Sequence, residues 1–394
     1  TCAFDRGFYA PWCLEIVQKL GGDGVVLVDP AAGLVDPALI DAAVVQARQK
    51  PQPELLFAPA APGLAGAVVR TALLERLGQT LGHPGRQLHY WPDVHAKDPI
   101  ATDAAVPVPT RAARTVHSFL LDSNRLVDRV ASATTSLNGQ LITTGAEDLV
   151  ERVEACGAMD AMPREVVLEL NTTRATRPVY GPAGHHSVDR RPMDLGRLGA
   201  LFGELAAADD LRLTLGGVGD PLLREDLAAI LRAAETAGIC AVHLETDLVG
   251  VPAARIEQLA TAAIDVISVH MPATTPQTYR AMMGFDGLNE SIENIKRLVR
   301  ARTAARRGRP IIVPTFAKCA ANFEEMELWY DQWLRALGAA AIVGPGDYCG
   351  QIPATALTDM APPTRRACER LKYRLSILCD GTIVGCEQDI LGRH

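Results

Sequence analysis

Nine cysteines are spread unevenly through this chain, and five of them (Cys319, Cys349, Cys368, Cys379 and Cys386) follow residue 315. Thiols gathered in one stretch suit a soft metal or an iron–sulfur cluster, whereas cysteines used for packing scatter. Cys368 and Cys386 are the leading ligand candidates, with Cys319, Cys349 and Cys379 as companions. Cys379 has a second reading as a core residue, because it precedes Asp380-Gly381 in a sequence that suits a hairpin. Cys156 and Cys240 stand singly in apolar surroundings and read as packing residues.

Other chemistry gathers in the middle of the chain. Residues 171–191 carry Arg174, Arg177, Arg190, Arg191, His185 and His186. Guanidinium groups clamp phosphate or carboxylate, so this loop reads as an anion site or, alternatively, as a solvated charged loop. His185, His186 and Asp189 form a weaker metal candidate. The turn Gly216-Gly-Val-Gly-Asp220-Pro221 lets the backbone approach a ligand, with Asp220 placed to accept from an ammonium group. The same residues also read as a strand-to-helix turn with Asp220 as cap. Ser268 and His270 alternate with Val269 and so share one strand face, where His270 is the catalytic candidate or a structural histidine. Near the start, Asp29 ends a short apolar run and reads as a turn residue or a magnesium ligand.

Those residues need a scaffold, and the composition supplies one. The 394 residues are 48% hydrophobic and 22% charged, a globular profile long enough for two or three domains. The net charge of −7 gives no overall reason to bind nucleic acid or an anionic membrane. No stretch of 18 apolar residues and no signal peptide are present, so the cytoplasm is the expected compartment. The start at Thr1 and the stop soon after the Cys-Asp-Gly turn suggest a piece of a longer protein.

Before residue 100, strands are expected at 24–28, 54–58 and 86–90 and helices at 38–49 and 66–81, an α/β pattern. From residue 165 the rhythm becomes regular. Short β-branched strands are expected at 165–170, 211–215, 240–245, 265–269, 310–315 and 339–343. Helices are expected between them at 195–206, 221–237, 253–259, 290–302 and 323–337. Six βα units in this length predict an α/β fold containing a partial (β/α)6 barrel whose loops after the strands hold the site.

The order of those loops resembles the radical S-adenosylmethionine superfamily over about residues 165–343: a loop after the first strand, Gly216-Gly-Val-Gly-Asp-Pro after the second, Glu245-Thr-Asp at the end of the third. Cys368, twelve residues, Gly381, four residues and Cys386 resembles the opening of a SPASM auxiliary-cluster segment. The resemblance implies S-adenosylmethionine held near Gly216, Gly217, Gly219, Asp220, Thr246 and Ser268, and an auxiliary iron–sulfur cluster on the C-terminal cysteines. It also implies a C-x3-C-x2-C loop, yet Ala175, Val179 and Pro182 stand at those positions and cannot ligate iron. The N-terminal stretch resembles part of a nucleotidyltransferase of the cytidylyltransferase kind, which implies magnesium at Asp29.

The organisation expected is a nucleotidyltransferase-like region at 1–130, a linker at 131–160, the barrel at 161–345 and the SPASM-like segment at 346–394. The function expected is binding of a small or carrier-bound anionic substrate at the barrel mouth. Two alternatives stand beside it: a pseudoenzyme module serving a partner enzyme, and nucleotidyl transfer through the N-terminal region.

Overall fold

The computed structural model describes residues 9–80, 84, 102–137, 140–156, 162–357 and 368–393. The chain divides into two compact units, Thr1–Met159 and Asp160–His394.

In the first unit, α1 (Ala10–Lys19), β1 (Gly24–Leu27), α2 (Pro37–Gln49), β2 (Leu55–Phe57), β3 (Ala67–Arg70) and α3 (Thr71–Thr80) lead into α4 (Thr110–Arg114), α5 (Asn124–Thr134) and α6 (Ala146–Ala155). The three strands form one sheet in the order β1-β3-β2, antiparallel throughout. The helix expected over 66–81 therefore starts later, because the β-branched pair Val68 and Val69 takes the central strand. Gly66 permits that crossing, since a Cβ there would lie 2.5 Å from the Leu27 carbonyl oxygen. The strand expected at 86–90 lies outside the described residues.

Asp36 is nearly buried, caps α2 through Ala38 N (2.9 Å) and accepts from Ala146 N (2.8 Å) at the start of α6. Leu149, Val150 and Val153 of α6 pack with Leu34, Leu64 and Phe119. The segment expected as a linker at 131–160 thus belongs largely to the core of this unit, because the apolar stripe of α6 needs burial. Asp29 accepts from Ala31 N (2.8 Å), a local turn, and among the described residues no group of three His, Cys, Asp or Glu side chains could hold a metal. Nothing among the described residues adds support to magnesium at Asp29.

The second unit carries an eight-stranded sheet in the order β11-β10-β4-β5-β6-β7-β8-β9. Its elements run β4 (Glu165–Leu168), α7 (Leu195–Leu205), β5 (Arg212–Leu215), α8 (Leu227–Ala237), β6 (Ala241–Thr246), α9 (Ala253–Leu259), β7 (Val266–His270), α10 (Pro276–Met283), α11 (Leu288–Ala304), β8 (Ile311–Ala317), α12 (Met326–Leu337) and β9 (Ala341–Val343). Then follow β10 (Arg374–Ile377) and β11 (Ile383–Val384). Strands β4 to β9 are parallel neighbours in chain order, the βα repeat of a partial barrel. Helix α10 was not expected from the pattern; Thr275 caps it through Thr278 N (3.3 Å) and Gly284 ends it at φ 60°.

The C-terminal segment is not a separate appendage. β10 pairs in parallel with β4 and β11 folds back on β10, so residues 374–384 extend the same sheet. The Asp380-Gly381 turn closes that hairpin, with Thr382 N donating to Asp380 (2.9 Å) and Gly381 at φ 95°.

The two sheet faces differ. One face of β4 to β8, with Val166, Leu168, Leu213, Leu215, Val242, Leu244, Ile267, Val269, Ile312 and Phe316, is buried in one apolar core with the helices. The other, inner face carries Glu165, Glu245, His243, Ser268, His270 and Thr315, all half-buried. Among the described residues no helix is long and apolar enough to cross a membrane.

Candidate functional site

The C-terminal ends of β4 to β7 converge on Asp247, the residue that follows β6. Its side chain is 1% exposed and forms a bidentate ion pair with Arg174, whose Nε lies 2.8 Å from Oδ2 and whose Nη2 donates to Oδ1. Thr176 Oγ1 donates to Oδ2, and His270 Nδ1 lies 3.0 Å from Oδ1. The same His270 nitrogen is 2.9 Å from Arg174 Nη2. Burial alone would raise the Asp247 pKa; the Arg174 charge and the His270 hydrogen bond outweigh it and hold the carboxyl well below the usual range. Burial would likewise lower the Arg174 pKa, and Asp247 more than restores it.

Asp220 is 2% exposed and takes three internal donors. It accepts from Leu222 N (2.9 Å), from Thr246 Oγ1 (2.8 Å) and from Asp247 N (2.9 Å). Burial, with Asp247 nearby, raises its pKa. Its oxygens cap the following turn, as the second reading of this motif expects, and fix Thr246 and Asp247.

The glycines of this turn also serve the fold. A Cβ on Gly219 would lie 2.0 Å from Asn171 Oδ1 and 2.3 Å from the Asn171 carbonyl oxygen, and one on Gly217 would lie 3.0 Å from Glu169. Asn171 Nδ2 donates to the Asp220 carbonyl (2.9 Å), and Asp220 N donates to the Thr173 carbonyl (2.8 Å). The close approach is therefore loop against loop. A Cβ on Gly216 would lie 2.5 Å from Glu245 Oε2, so this glycine makes room for that side chain.

The expected cluster of four arginines is not assembled. Arg174 is spent on Asp247, and Arg190 pairs with buried Glu169 at 2.7 Å while donating to the Ile390 carbonyl (2.7 Å). Of the four, Arg177 and Arg191 are exposed and have no side-chain partner among the described residues. His185 Nε2 lies 2.8 Å from the Val179 carbonyl and His186 Nε2 lies 2.6 Å from the Gln351 carbonyl, so both rings hold backbone rather than a metal with Asp189.

The donor set does not fit the groups that the resemblance implies. The loop at 171–191 contains no thiol for a catalytic cluster. Among the C-terminal cysteines, Cys379 is 1% exposed, donates to the Arg190 carbonyl (3.8 Å) and has its thiol pushed up to about 12 by burial and by Glu169. It is a packing residue. Cys349 and Cys368 are exposed, Cys386 is half-buried, and no three ligands converge among the described residues.

Several site residues were not singled out in the sequence: Asp247 as the hub, Thr176 and Glu169 as partners, and His243 and Glu245 on β6. The signal for the last pair was present. His243, Glu245, Ser268 and His270 follow the period-two alternation that puts them on one face.

No protein-family model matches the chain. Over 97 residues it is 34% identical to the PqqA peptide cyclase of Ruegeria pomeroyi, covering 25% of each chain. Over 84 residues it is 27% identical to an uncharacterized protein of Treponema pallidum, covering 21% of this chain and 23% of that one. The chain thus spans about a quarter of the length of the curated relatives it matches. Similar solved structures include Streptococcus suis SuiB bound to precursor peptide SuiA (12% identity, TM-score 0.49, 64% of this chain and 66% of that chain). They also include BtrN in complex with AdoMet and 2-DOIA (13% identity, TM-score 0.38, 60% and 78%).

Proposed function

We propose that this chain is a ligand-binding partial barrel of radical S-adenosylmethionine type that works without the catalytic cluster. One observation carries the reading. Where the loop after the first barrel strand would present thiolates, Arg174 turns inward and is neutralised by Asp247, with Thr176 and His270 completing the network. An arginine–carboxylate pair can neither bind iron nor deliver an electron, and removing it would strand a buried charge. The three internal donors on buried Asp220 further support a barrel that does not rely on S-adenosylmethionine. The ligand is small or carrier-borne and meets the half-buried polar inner face beneath this network.

The test is anaerobic purification, treatment with iron and sulfide, and assay of S-adenosylmethionine cleavage under a strong reductant. No cleavage and no calorimetric heat at millimolar S-adenosylmethionine are expected. Reductive cleavage by the chain would overturn the reading.

A further inference from the structure

Away from the barrel mouth, charge is distributed unevenly along the chain. From Asn294 to Arg309 there are seven basic residues and no acidic one, on a protein of net charge −7. Few of these cations are answered. Lys296 pairs with Glu293 at 2.6 Å, and Arg309 pairs with Asp265. Arg302 and Arg307 donate to the carbonyls of Pro310 (2.7 Å) and Thr261 (2.9 Å), which leaves their charge in place. The guanidinium groups of Arg297 and Arg300 have no hydrogen bond or ion pair with the described residues, although both act on the Glu293 carboxylate. On this stretch of α11 one carboxylate therefore faces three cations.

Beside this basic block, α11 and α12 leave a groove of about 280 Å³. Ile292, Ile295 and Val299 of α11 line it together with Trp333 and Leu337 of α12. The spacing of 292, 295 and 299 is that of one helix stripe. Ile295 is buried, but Ile292, Val299, Trp333 and Leu337 are only partly covered by the core they pack against. The core-facing stripe of each helix thus runs out into the groove. Lys296, Arg300 and Ala336 line the same groove and are exposed. From Ile292 to Arg300 the groove follows about 12 Å of helix, at roughly 1.5 Å per residue.

These features select an occupant. The volume falls just below the range of about 300–1,000 Å³ usual for small-molecule sites, and suits inserted side chains. Nucleic acid would meet the cations but leave the apolar lining wet. A membrane surface calls for apolar side chains that stand out from the protein, whereas here they are recessed between two helices. Apolar lining with cations alongside is the complement of an amphipathic helix whose flanks are acidic.

We infer that the groove between α11 and α12 docks an acidic, amphipathic helical segment of a partner protein, with its apolar side chains against Val299 and Trp333 and its carboxylates against Lys296 and Arg300. This surface belongs to the helices on the outer side of the sheet, so the inference goes beyond the barrel-mouth reading and does not depend on it.

The probe is a fluorescein-labelled helical peptide of roughly 14 residues, about 20 Å long, with Leu at helical spacing and Glu elsewhere. It is titrated into the full chain and followed by fluorescence anisotropy. Binding is expected, with no binding of the same peptide carrying Lys for Glu or Ser for Leu. Ala336→Trp, which fills the groove from an exposed position, should weaken the peptide at least roughly tenfold, the scale of an interface anchor. Arg300→Glu should weaken it roughly 3- to 10-fold, as for an exposed charge whose sign is reversed. If Ala336→Trp does not fold, Arg300→Glu and the two control peptides still decide. No binding by folded wild type, equal binding of either control peptide, or unchanged affinity in both folded variants would overturn the proposal. So would a dimer of the chain that Ala336→Trp dissolves, or tighter binding of an oligothymidylate or of phosphatidylglycerol vesicles that Arg300→Glu weakens and Ala336→Trp does not.

Discussion

Two rows of the barrel, adjacent on the same strands, treat charge in opposite ways. At the mouth, Asp247 receives Arg174, Thr176 and His270 in an almost dry setting. One row below, Glu245 stands half-buried against Gly216 and has no hydrogen bond or ion pair with the described residues, with His243 near enough to feel its charge. The lesson is that a buried charge answered by internal donors is part of the architecture, whereas a half-buried one can stand against solvent without them. The arginine count of the loop is therefore a poor guide to the positive charge left unpaired there.

The sharpest way to break this contrast is Arg174→Ala. It leaves Asp247 buried without its counter-ion, and a loss of roughly 3–5 kcal/mol in urea unfolding is expected. Acid sensitivity follows from the same pair. Because the native Asp247 pKa is depressed, its stabilisation is complete above the unfolded carboxylate value near ~3.9 and fades as pH falls through the lower native value. The variant should therefore lose less stability between about pH 4 and pH 2 than wild type does.

A smaller effect should come from Gly219→Ala. The added methyl meets the Asn171 backbone, not a ligand, so about 1–3 kcal/mol of overpacking is expected in thermal unfolding. Unchanged stability would mean that the turn is shaped for something other than its neighbouring loop. The smallest effect should be that of Glu245→Gln, within about 0.5 kcal/mol of wild type or slightly stabilising, because no internal partner is lost. A large loss there would place Glu245 among the architectural charges and erase the contrast.

Much of the barrel was legible in the sequence. All six strands expected from residue 165 onward are present with ends shifted by a residue or two, because short β-branched runs covered on one face by amphipathic helices have few alternatives. The first unit was less legible: Val68 and Val69 sit within a stretch whose apolar spacing also suits a helix, and only pairing with β1 and β2 decides for a strand. Of the candidate site, Asp220, His270 and Arg174 were named from their positions, and the cap reading of Asp220 is the one the structure shows, but the partners of Arg174 and His270 were not foreseen. Whether a carboxylate meets an outside ammonium or the internal donors of Leu222, Thr246 and Asp247 depends on contacts between loops far apart in the chain.

What the sequence alone determined is the alternation of βα units, the lack of thiols at Ala175, Val179 and Pro182, and the shared face of Ser268 and His270. These follow from residue type and from the pleat's period of two, both local properties. The tertiary structure decided which charges cancel. Arg174 reaches Asp247 across 73 positions of sequence and Arg190 reaches Glu169 across 21, while Glu245 is passed over. Charge cancellation is a matter of distance and burial after folding, and neither is written in spacing along the chain.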